Sequence, residues 1–336
     1  MKILVTGVAG FMASHLSEYL ANQGHEVVGV DNLSIGSRDN VPKNITFVQA
    51  DMRHPESMEI LCRTHEPELV YHLACWAHEG LSQFMPRHIT ENNYNAFLNL
   101  IVPAINHGMK RIVVCSSMSV YGAQQTPFNE DMRRMPEDIY AIAKTAMEEA
   151  TEVLADVHGF DYTIIRPHNV YGPRQILWDP YRNVAGIFIN RILNGKPPII
   201  YGDGNQKRAF SYIDDVTPYI AKAGFLDSCK GEIINIGPTE EFTVNELAHV
   251  CLQAFGPSIQ LEPQHVPDRP REVKDAFCTN DKAKQLLGYK TTVSFEEGIK
   301  RMVEWAKTQG PKEFKYLSQL ELTGKKIPET WSKRIM

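Results

Sequence analysis

The stretch that decides the fold is Lys2-Ile3-Leu4-Val5-Thr6-Gly7-Val8-Ala9-Gly10-Phe11-Met12-Ala13. Its first five residues form an apolar run that is typical of a strand buried on both faces. A G-x-x-G-x-x-A turn follows, and an amphipathic helix is predicted over Ala13–Asn22. Glycines at such a turn let the backbone bend tightly and approach a pyrophosphate, which then lies at the positive end of the helix. Alone, this turn is a weak signal, because glycine turns between a strand and a helix are common.

The same alternation of strands and helices continues through the first half of the chain. Apolar runs rich in Val and Ile alternate with amphipathic stretches, which indicates a parallel, doubly wound sheet with right-handed crossovers. Helices are predicted over Asn92–Asn106 and Tyr140–Val157. The predicted strands are Lys2–Thr6, Glu26–Val30, Thr46–Gln49, Leu69–Leu73, Arg111–Ser116 and Tyr162–Arg166.

After about residue 167 the alternation ends, and clusters of Pro and Gly predict irregular loops around a smaller lobe. We therefore expect an α/β protein in which residues 1–167 form a dinucleotide-binding domain. Residues 168–336 are expected to form a substrate-binding lobe and a tail. Residues 211–237, with a strand at Ile233–Gly237, are predicted to return to the main sheet. The charged tail from Lys312 is expected to cover the surface as a helix and a loop.

Composition narrows the possible partners and the compartment. Of 336 residues, 43% are hydrophobic and 22% are charged, which excludes a disordered chain. A net charge of −5 argues against nucleic acid and anionic membranes as partners, so an anionic substrate needs local Arg or Lys. The six cysteines show no zinc-type spacing, so we expect reduced thiols and no metal. With no apolar run long enough to span a bilayer and no signal peptide expected, a cytoplasmic location is predicted.

An acidic residue at the end of the second strand strengthens the dinucleotide interpretation. Asp31 lies at the distance from the glycine turn at which an acid accepts hydrogen bonds from the adenosine ribose. Its charge would repel a 2′-phosphate, so NAD is favoured over NADP. Arg38, in the loop that follows, is a possible counter-argument. Asp51 and Met52 follow the third strand, where they would meet the adenine.

Tyr140 and Lys144 supply the chemistry that oxidation of an alcohol requires. Their spacing places them on one face of a helix, and Ser117 follows a strand that ends at the expected cofactor edge. An alcohol that gives up a hydride must also lose its hydroxyl proton, so a base is needed there. A nearby Lys is expected to favour the phenolate of Tyr140. Ser117 is predicted to position the substrate oxygen.

These motifs together resemble the extended short-chain dehydrogenase/reductase family, and within it the NAD-dependent nucleotide-sugar epimerases and dehydratases. The resemblance extends through about Lys307 and implies a Rossmann-type fold. The residues that carry it are Thr6-Gly7-x-x-Gly10, Asp31-Asn32-Leu33-Ser34, His72-Leu73-Ala74, Ser116-Ser117-x-x-Val120-Tyr121-Gly122, Tyr140-x-x-x-Lys144, Arg166-Pro167-x-Asn169-Val170-Tyr171-Gly172-Pro173-Arg174, and Gly202-Asp203-Gly204 with Arg208.

The resemblance implies NAD as cofactor, a nucleoside-diphosphate sugar as substrate, and a homodimer joined through the helices Asn92–Asn106 and Tyr140–Val157. Arg208 and Arg269 would supply the local positive charge for the diphosphate. The expected cofactor-binding residues are Gly7, Gly10, Phe11, Met12, Asp31, Asn32, Asp51, Met52, Leu73, Ala74, Trp76, Asn93, Tyr140, Lys144 and Pro167. The expected substrate-binding residues are His78, Ser117, Asn169, Val184, Arg208 and Arg269.

The resemblance favours 4-epimerisation of the sugar. Met118 and Ser119 stand where the dehydratases of the group typically carry Asp and Glu. A dehydrogenase that releases the 4-keto sugar is the first alternative, followed by a 4,6-dehydratase and by a non-enzymatic sensor. His78 and Glu79 depart from the small, apolar pattern of the group. They would contact unusual sugar hydroxyls, act as a second acid/base pair, or form a polar surface pair. The loop Gln175–Arg182 suggests a lid.

Overall fold

The computed structural model describes residues 1–270, 273–324 and 326–336. Its main sheet is parallel and has the strand order β11-β6-β5-β4-β1-β2-β3 in this part of the chain. The strands are β1 (Lys2–Thr6), β2 (Glu26–Asp31), β3 (Thr46–Gln49), β4 (Leu69–His72), β5 (Arg111–Cys115), β6 (Asp161–Pro167), β7 (Asn169–Tyr171), β8 (Ile199–Tyr201), β9 (Lys207–Arg208), β10 (Phe210–Tyr212), β11 (Glu232–Ile236), β12 (Phe242–Thr243), β13 (Gln264–Val266) and β14 (Asp275–Ala276).

Helices cover both faces of this sheet. They are α1 (Phe11–Asn22), α2 (Pro55–His65), α3 (Glu79–Ser82), α4 (Pro86–Thr90), α5 (Ala96–Asn106), α6 (Ile139–His158), α7 (Val184–Leu193), α8 (Thr217–Ala223), α9 (Val244–Phe255), α10 (Asp281–Leu287), α11 (Phe295–Gln309) and α12 (Glu329–Ser332). The arrangement confirms the predicted Rossmann-type α/β fold.

Each face of the sheet packs into its own core because side chains alternate along the strands. Val70 on β4 joins a cluster with residues of α2, α5 and α6, whereas Tyr71 faces the opposite cluster with residues of α1 and α8. The uninterrupted apolar runs in the sequence reflect this burial on both sides. Strand β11 pairs with β6, so the second half of the chain contributes an edge of the main sheet. The division into two lobes at residue 167 stays a prediction.

Two predicted segments differ from what the structure shows. The expected helix Asn92–Asn106 begins with a π-helical turn, Glu91–Asn95, and α5 starts at Ala96. The tail after Lys312 is mostly irregular, and α12 is the helix within its described part. Rather than simply covering the surface, the tail buries Trp331 and Met336 in the main core. Aromatic contacts between Trp331 and both Phe84 and Tyr181 account for this burial.

In the described part of the chain, no helix is long and apolar enough to cross a bilayer. All six cysteines are free, and no group of His, Cys, Asp and Glu among the described residues could hold a metal ion. The cytoplasmic location remains a prediction.

A buried ion pair joins α6 to the sheet. Glu148 on α6 accepts hydrogen bonds from Arg166 of β6, with 2.9 Å between Oε1 and Nε, and from Arg134 at 2.6 Å. The side chains of Glu148 and Arg166 are 0% and 1% exposed. Burial alone would raise the pKa of Glu148, but the hydrogen bonds from Arg166 lower it below its usual value. The pair therefore contributes its stability at neutral pH and loses it only as the pH falls through that lowered pKa.

We expect Glu148→Gln to lower the free energy of unfolding by about 3–5 kcal/mol, because the substitution leaves the buried Arg166 charge unpaired. Denaturant unfolding at neutral pH measures the loss. Glu152→Gln is the matched control, since Glu152 is 31% exposed and pairs with Arg134. Its cost should stay below about 1 kcal/mol. Equal costs for the two variants would show that the buried pair does not anchor the helix.

Candidate active site

A cavity of about 400 Å³ lies at the carboxyl edge of the main sheet, where ligands bind in doubly wound folds. Residues directly after β1, β2, β4, β5 and β6 line it, namely Gly7, Asn32, Leu73, Ser116 and His168. Residues from the second half of the chain, such as Arg182, Arg208 and Arg269, also line it. The cavity therefore joins the predicted dinucleotide turn to the predicted substrate lobe.

The glycine turn leaves room for a phosphate at the start of α1. Gly7 has a φ of +73°, and a Cβ there would lie 2.9 Å from the Cα of Ala74. A Cβ at Gly36 would lie 2.6 Å from the carbonyl carbon of Ala9. Gly10 is the N-cap of α1 and brings no side chain to the helix end. Phe11 and Met12 begin the helix at the cavity wall, so these residues fit a pyrophosphate at a helix N-terminus.

Asp31 and Asp51 line the next part of the cavity. Asp31 accepts hydrogen bonds from the backbone N–H groups of Ala9 at 3.0 Å and Leu33 at 2.7 Å. Burial raises the pKa of Asp31. Hydrogen bonds from Arg53, together with one from Asn32 at 3.2 Å, lower the pKa of Asp51 and hold it as a carboxylate.

Met52 and Arg38 are the other two residues that the sequence relates to the adenosine part of the cofactor. Met52 lines the cavity beside Asp51, where an adenine ring was expected. Arg38, the counter-argument to NAD, stacks on the ring of Phe47 at 4.0 Å and is not among the described residues that line the cavity.

Hydrogen bonds from the side chains of Thr6 and Asn93 fix the backbone of the segment that follows β4. The hydroxyl of Thr6 accepts from the backbone N–H groups of Leu73 at 3.1 Å and Ala74 at 3.0 Å. Asn93, fully buried in the π-helical turn, accepts from the Trp76 N–H at 2.7 Å and donates to its carbonyl at 3.1 Å. Leu73, Ala74 and Trp76 line the cavity, whereas Asn93 lies outside the described lining and supports Trp76.

Ser117, Tyr140 and Lys144 all line the cavity. Asp138 caps α6 by accepting from the Ala141 N–H at 2.9 Å, which sets the helix start just before Tyr140. Lys144 Nζ donates to the carbonyl of Cys115 at 2.6 Å and lies 5.8 Å from the centre of the Tyr140 ring. The structure thus brings the three predicted catalytic residues together, with Pro167 beside them.

The electrostatics of Tyr140 differ from the expectation based on Lys144. Burial raises the pKa of the Tyr140 phenol well above its ordinary value, and the nearby Cys75, Glu79 and Cys115 groups raise it further. Arg182 lowers this pKa. Arg182 lies in the loop that the sequence singled out as a possible lid, but the sequence analysis did not identify it as a site residue.

The far side of the cavity carries the predicted nucleotide-binding residues Asn169, Val184, Arg208 and Arg269. The guanidinium of Arg208 donates hydrogen bonds to the carbonyls of Lys274 at 2.7 Å and Val273 at 2.5 Å. The guanidinium of Arg269 lies 4.8 Å from the centre of the Tyr201 ring. Two arginine side chains therefore face the cavity on a chain of net charge −5, as a diphosphate requires.

His78, which the sequence predicts as a substrate contact, is not among the described residues that line the cavity. It is 1% exposed and its Nε2 lies 2.7 Å from Asp179 Oδ2, because its ring points into the protein. Its neighbour Glu79 does line the cavity. The sequence analysis missed several lining residues, and only the loop Gln175–Arg182 had given a signal for any of them. They are Arg53, Tyr181, Arg182, Tyr201, Gln206 and Met336.

A family model described as the NAD dependent epimerase/dehydratase family matches residues 3–237. The chain is 35% identical to a putative UDP-glucose 4-epimerase of Methanocaldococcus jannaschii, covering 91% of this chain and 98% of that protein. It is similar to the crystal structure of UDP-glucose 4-epimerase with UDP-glucose from Thermotoga maritima, with 35% identity, a TM-score of 0.86, and coverage of 92% and 99%.

The Thermus thermophilus UDP-glucose 4-epimerase complex with NAD is 33% identical, with a TM-score of 0.86 and coverage of 91% of this chain and 99% of that one. These similarities cover 91–92% of this chain. The chain is an NAD-dependent enzyme and belongs to the NAD-dependent epimerase/dehydratase family.

Proposed function

We propose that this protein is a nucleoside-diphosphate-sugar 4-epimerase. The observation that carries the proposal is that one cavity holds three sets of side chains. The glycine turn and Asp31 form the first set, Ser117, Tyr140 and Lys144 form the second, and Arg208 and Arg269 form the third. A sugar whose diphosphate is bound by the two arginines would therefore present its ring to Tyr140.

Each catalytic side chain has a distinct task. Tyr140 takes the proton of the sugar 4-hydroxyl while carbon 4 of the sugar loses a hydride. It returns the proton when a hydride is added back to the opposite face of carbon 4. Ser117 orients the sugar oxygen, and the hydroxyl of Ser119, 2.9 Å from Ser117 Oγ, helps to set that orientation. Lys144 is fixed by the Cys115 carbonyl, with its Nζ 5.8 Å from the centre of the Tyr140 ring. NAD, when bound, supplies the reversible hydride acceptor.

The turn after Ser117 supports epimerisation over elimination of water. Met118 lines the cavity with a side chain that cannot transfer a proton, and Ser119 is engaged with Ser117. The two positions that carry Asp and Glu in the dehydratases of the group thus contribute no carboxylate here.

The exposed apolar residues support a homodimer. Four of them, Val102, Ile142, Val153 and Val157, lie on α5 and α6 and are 51%, 48%, 62% and 68% exposed. The helices α5 and α6 pack on the same face of the sheet. An apolar patch of this kind is typical of an interface, and a two-fold axis would bury the same patch of each subunit.

The 4-epimerase proposal is tested on panels of UDP- and GDP-sugars, with products identified by mass spectrometry and NMR and NADH absorbance followed in parallel. We expect a product of unchanged mass, inverted at carbon 4, without NADH accumulation. Tyr140→Phe should lower the rate about 10²–10⁴-fold, because the base is removed. Tyr162→Phe, outside the described lining, is the control and should keep full activity.

Other outcomes would contradict the proposal. Loss of two hydrogens from the sugar would indicate a C4 dehydrogenase, and loss of water would indicate a dehydratase. Full activity of Tyr140→Phe would refute Tyr140 as the base. Binding of a sugar nucleotide without any turnover would favour a sensor.

The dimer is tested by light scattering. The wild-type protein should have the mass of two chains, and Val153→Glu should have the mass of one, because a charge would be buried at the interface. Leu322→Glu makes the same change at a residue that is 52% exposed in the tail, and it should remain dimeric. A monomeric wild-type protein would refute the proposal.

A further inference from the structure

A buried contact joins two segments that both contribute residues to the cavity wall. His78 follows β4, and Asp179 lies in the loop before α7; the two residues are 1% and 3% exposed. Nε2 of His78 lies 2.7 Å from Oδ2 of Asp179. The other carboxylate oxygen of Asp179 accepts from the Tyr181 N–H at 2.9 Å. Buried polar groups are costly unless they are paired, so this contact constrains both segments.

The two segments carry side chains that face the cavity. Trp76 and Glu79 lie on either side of His78, and Tyr181 and Arg182 follow Asp179. The His78 ring packs against Trp76, with ring centres 5.1 Å apart, and against Tyr181 at 6.3 Å. Neither His78 nor Asp179 is among the described residues that line the cavity, so the contact lies behind the wall that it holds in place.

The tail fixes the other side of the same loop. The backbone N–H of Lys315 donates to the Trp178 carbonyl at 2.9 Å, and that of Leu317 donates to the Tyr181 hydroxyl at 3.1 Å. The loop is therefore held from both sides immediately before Arg182.

Arg182 and Tyr140 line the same cavity, and the positive charge of Arg182 lowers the pKa of the phenol. The groups that act on Tyr140 come from several elements: Cys75 and Glu79 after β4, Cys115 on β5, and Arg182 from the loop. Asp138 and Lys144 lie on its own helix, and Lys144 Nζ is engaged by the Cys115 carbonyl. Burial and the groups from β4 and β5 favour the neutral phenol, whereas Arg182 favours the phenolate.

We propose that Arg182 stabilises the phenolate of Tyr140, and that His78 and Asp179 are positioning residues that hold Arg182 at the cavity. This inference rests on the proposed role of Tyr140 as the base. The loop Gln175–Arg182 would then take part in proton transfer as well as line the cavity. The positioning role also explains why a polar pair is buried where neither residue faces a substrate.

The experiment titrates the phenol directly in the NAD-bound protein and needs no sugar. The ultraviolet absorption of tyrosinate is followed against pH for each variant and for the same variant with Tyr140→Phe, and the difference isolates Tyr140. We expect Arg182→Met to move this titration to higher pH by about one unit or more, because a nearby cation is lost. Arg182→Lys should restore most of the shift. Arg87→Met, at an arginine whose side chain is 82% exposed, is the control and should leave it unchanged.

Asp179→Asn distinguishes two roles of Asp179, because the loss of its charge and the displacement of Arg182 would move the Tyr140 titration in opposite directions. Removing an anion near the cavity would by itself move the titration to lower pH. Displacement of Arg182 predicts a move to higher pH, and the double variant Asp179→Asn/Arg182→Met should shift no further than Arg182→Met alone. His78→Asn, which shortens the side chain that reaches Asp179, tests the same contact should Asp179→Asn fail to fold.

An unchanged titration in Arg182→Met would overturn the role of Arg182. A downward or absent shift in Asp179→Asn, or in His78→Asn where that variant replaces it, would overturn the positioning role. Because the titration reports the phenol and not turnover, these results are distinct from failure of the epimerase proposal. In an active enzyme, the acid limb of the kcat profile should follow the phenol titration in each variant.

Discussion

The buried pair between Glu148 and Arg166 is the constraint on which the active site depends. Tyr140, Lys144 and Glu148 are spaced four residues apart along α6, so Glu148, which anchors the helix, lies on the same face as two of the proposed catalytic residues. The guanidinium of Arg166 also lies 4.6 Å from the centre of the Tyr121 ring, in the turn that begins after Ser117. One buried cation thus contacts both the helix that carries the proposed base, Tyr140, and the turn that follows Ser117.

Much of the fold and most of the site could be predicted from the sequence. The boundaries of β1 were as expected, and β4 and β5 each end one residue earlier than expected, because apolar runs buried on both faces leave little ambiguity. The boundaries of β3 were also as expected, although that strand is more exposed. The residues expected to bind cofactor and substrate line one cavity, apart from His78 and Asn93. Such residues follow strand ends or belong to short motifs, so local sequence indicates where they lie.

What could not be predicted depends on contacts between distant segments. Asn93 supports the backbone of Trp76, and His78 pairs with Asp179, a residue 101 positions away in the chain. Trp331 is buried through aromatic contacts with residues from two other segments. The pKa of Tyr140 depends on burial and on Arg182, neither of which the spacing of Tyr140 and Lys144 reveals. Local patterns give the type of each side chain but not its distant partner.

Strand β11 affects how the polypeptide folds, because it comes late in the chain and yet forms an edge of the main sheet. Because β11 forms the edge beside β6, the main sheet is complete only after synthesis has passed Ile236. A nascent chain that ended at Pro167 would expose the N–H and C=O groups of β6 along an apolar strand, which invites intermolecular pairing. The main sheet therefore gains its edge strand only after residues 168–231 have been synthesised, and until then β6 is open to aggregation.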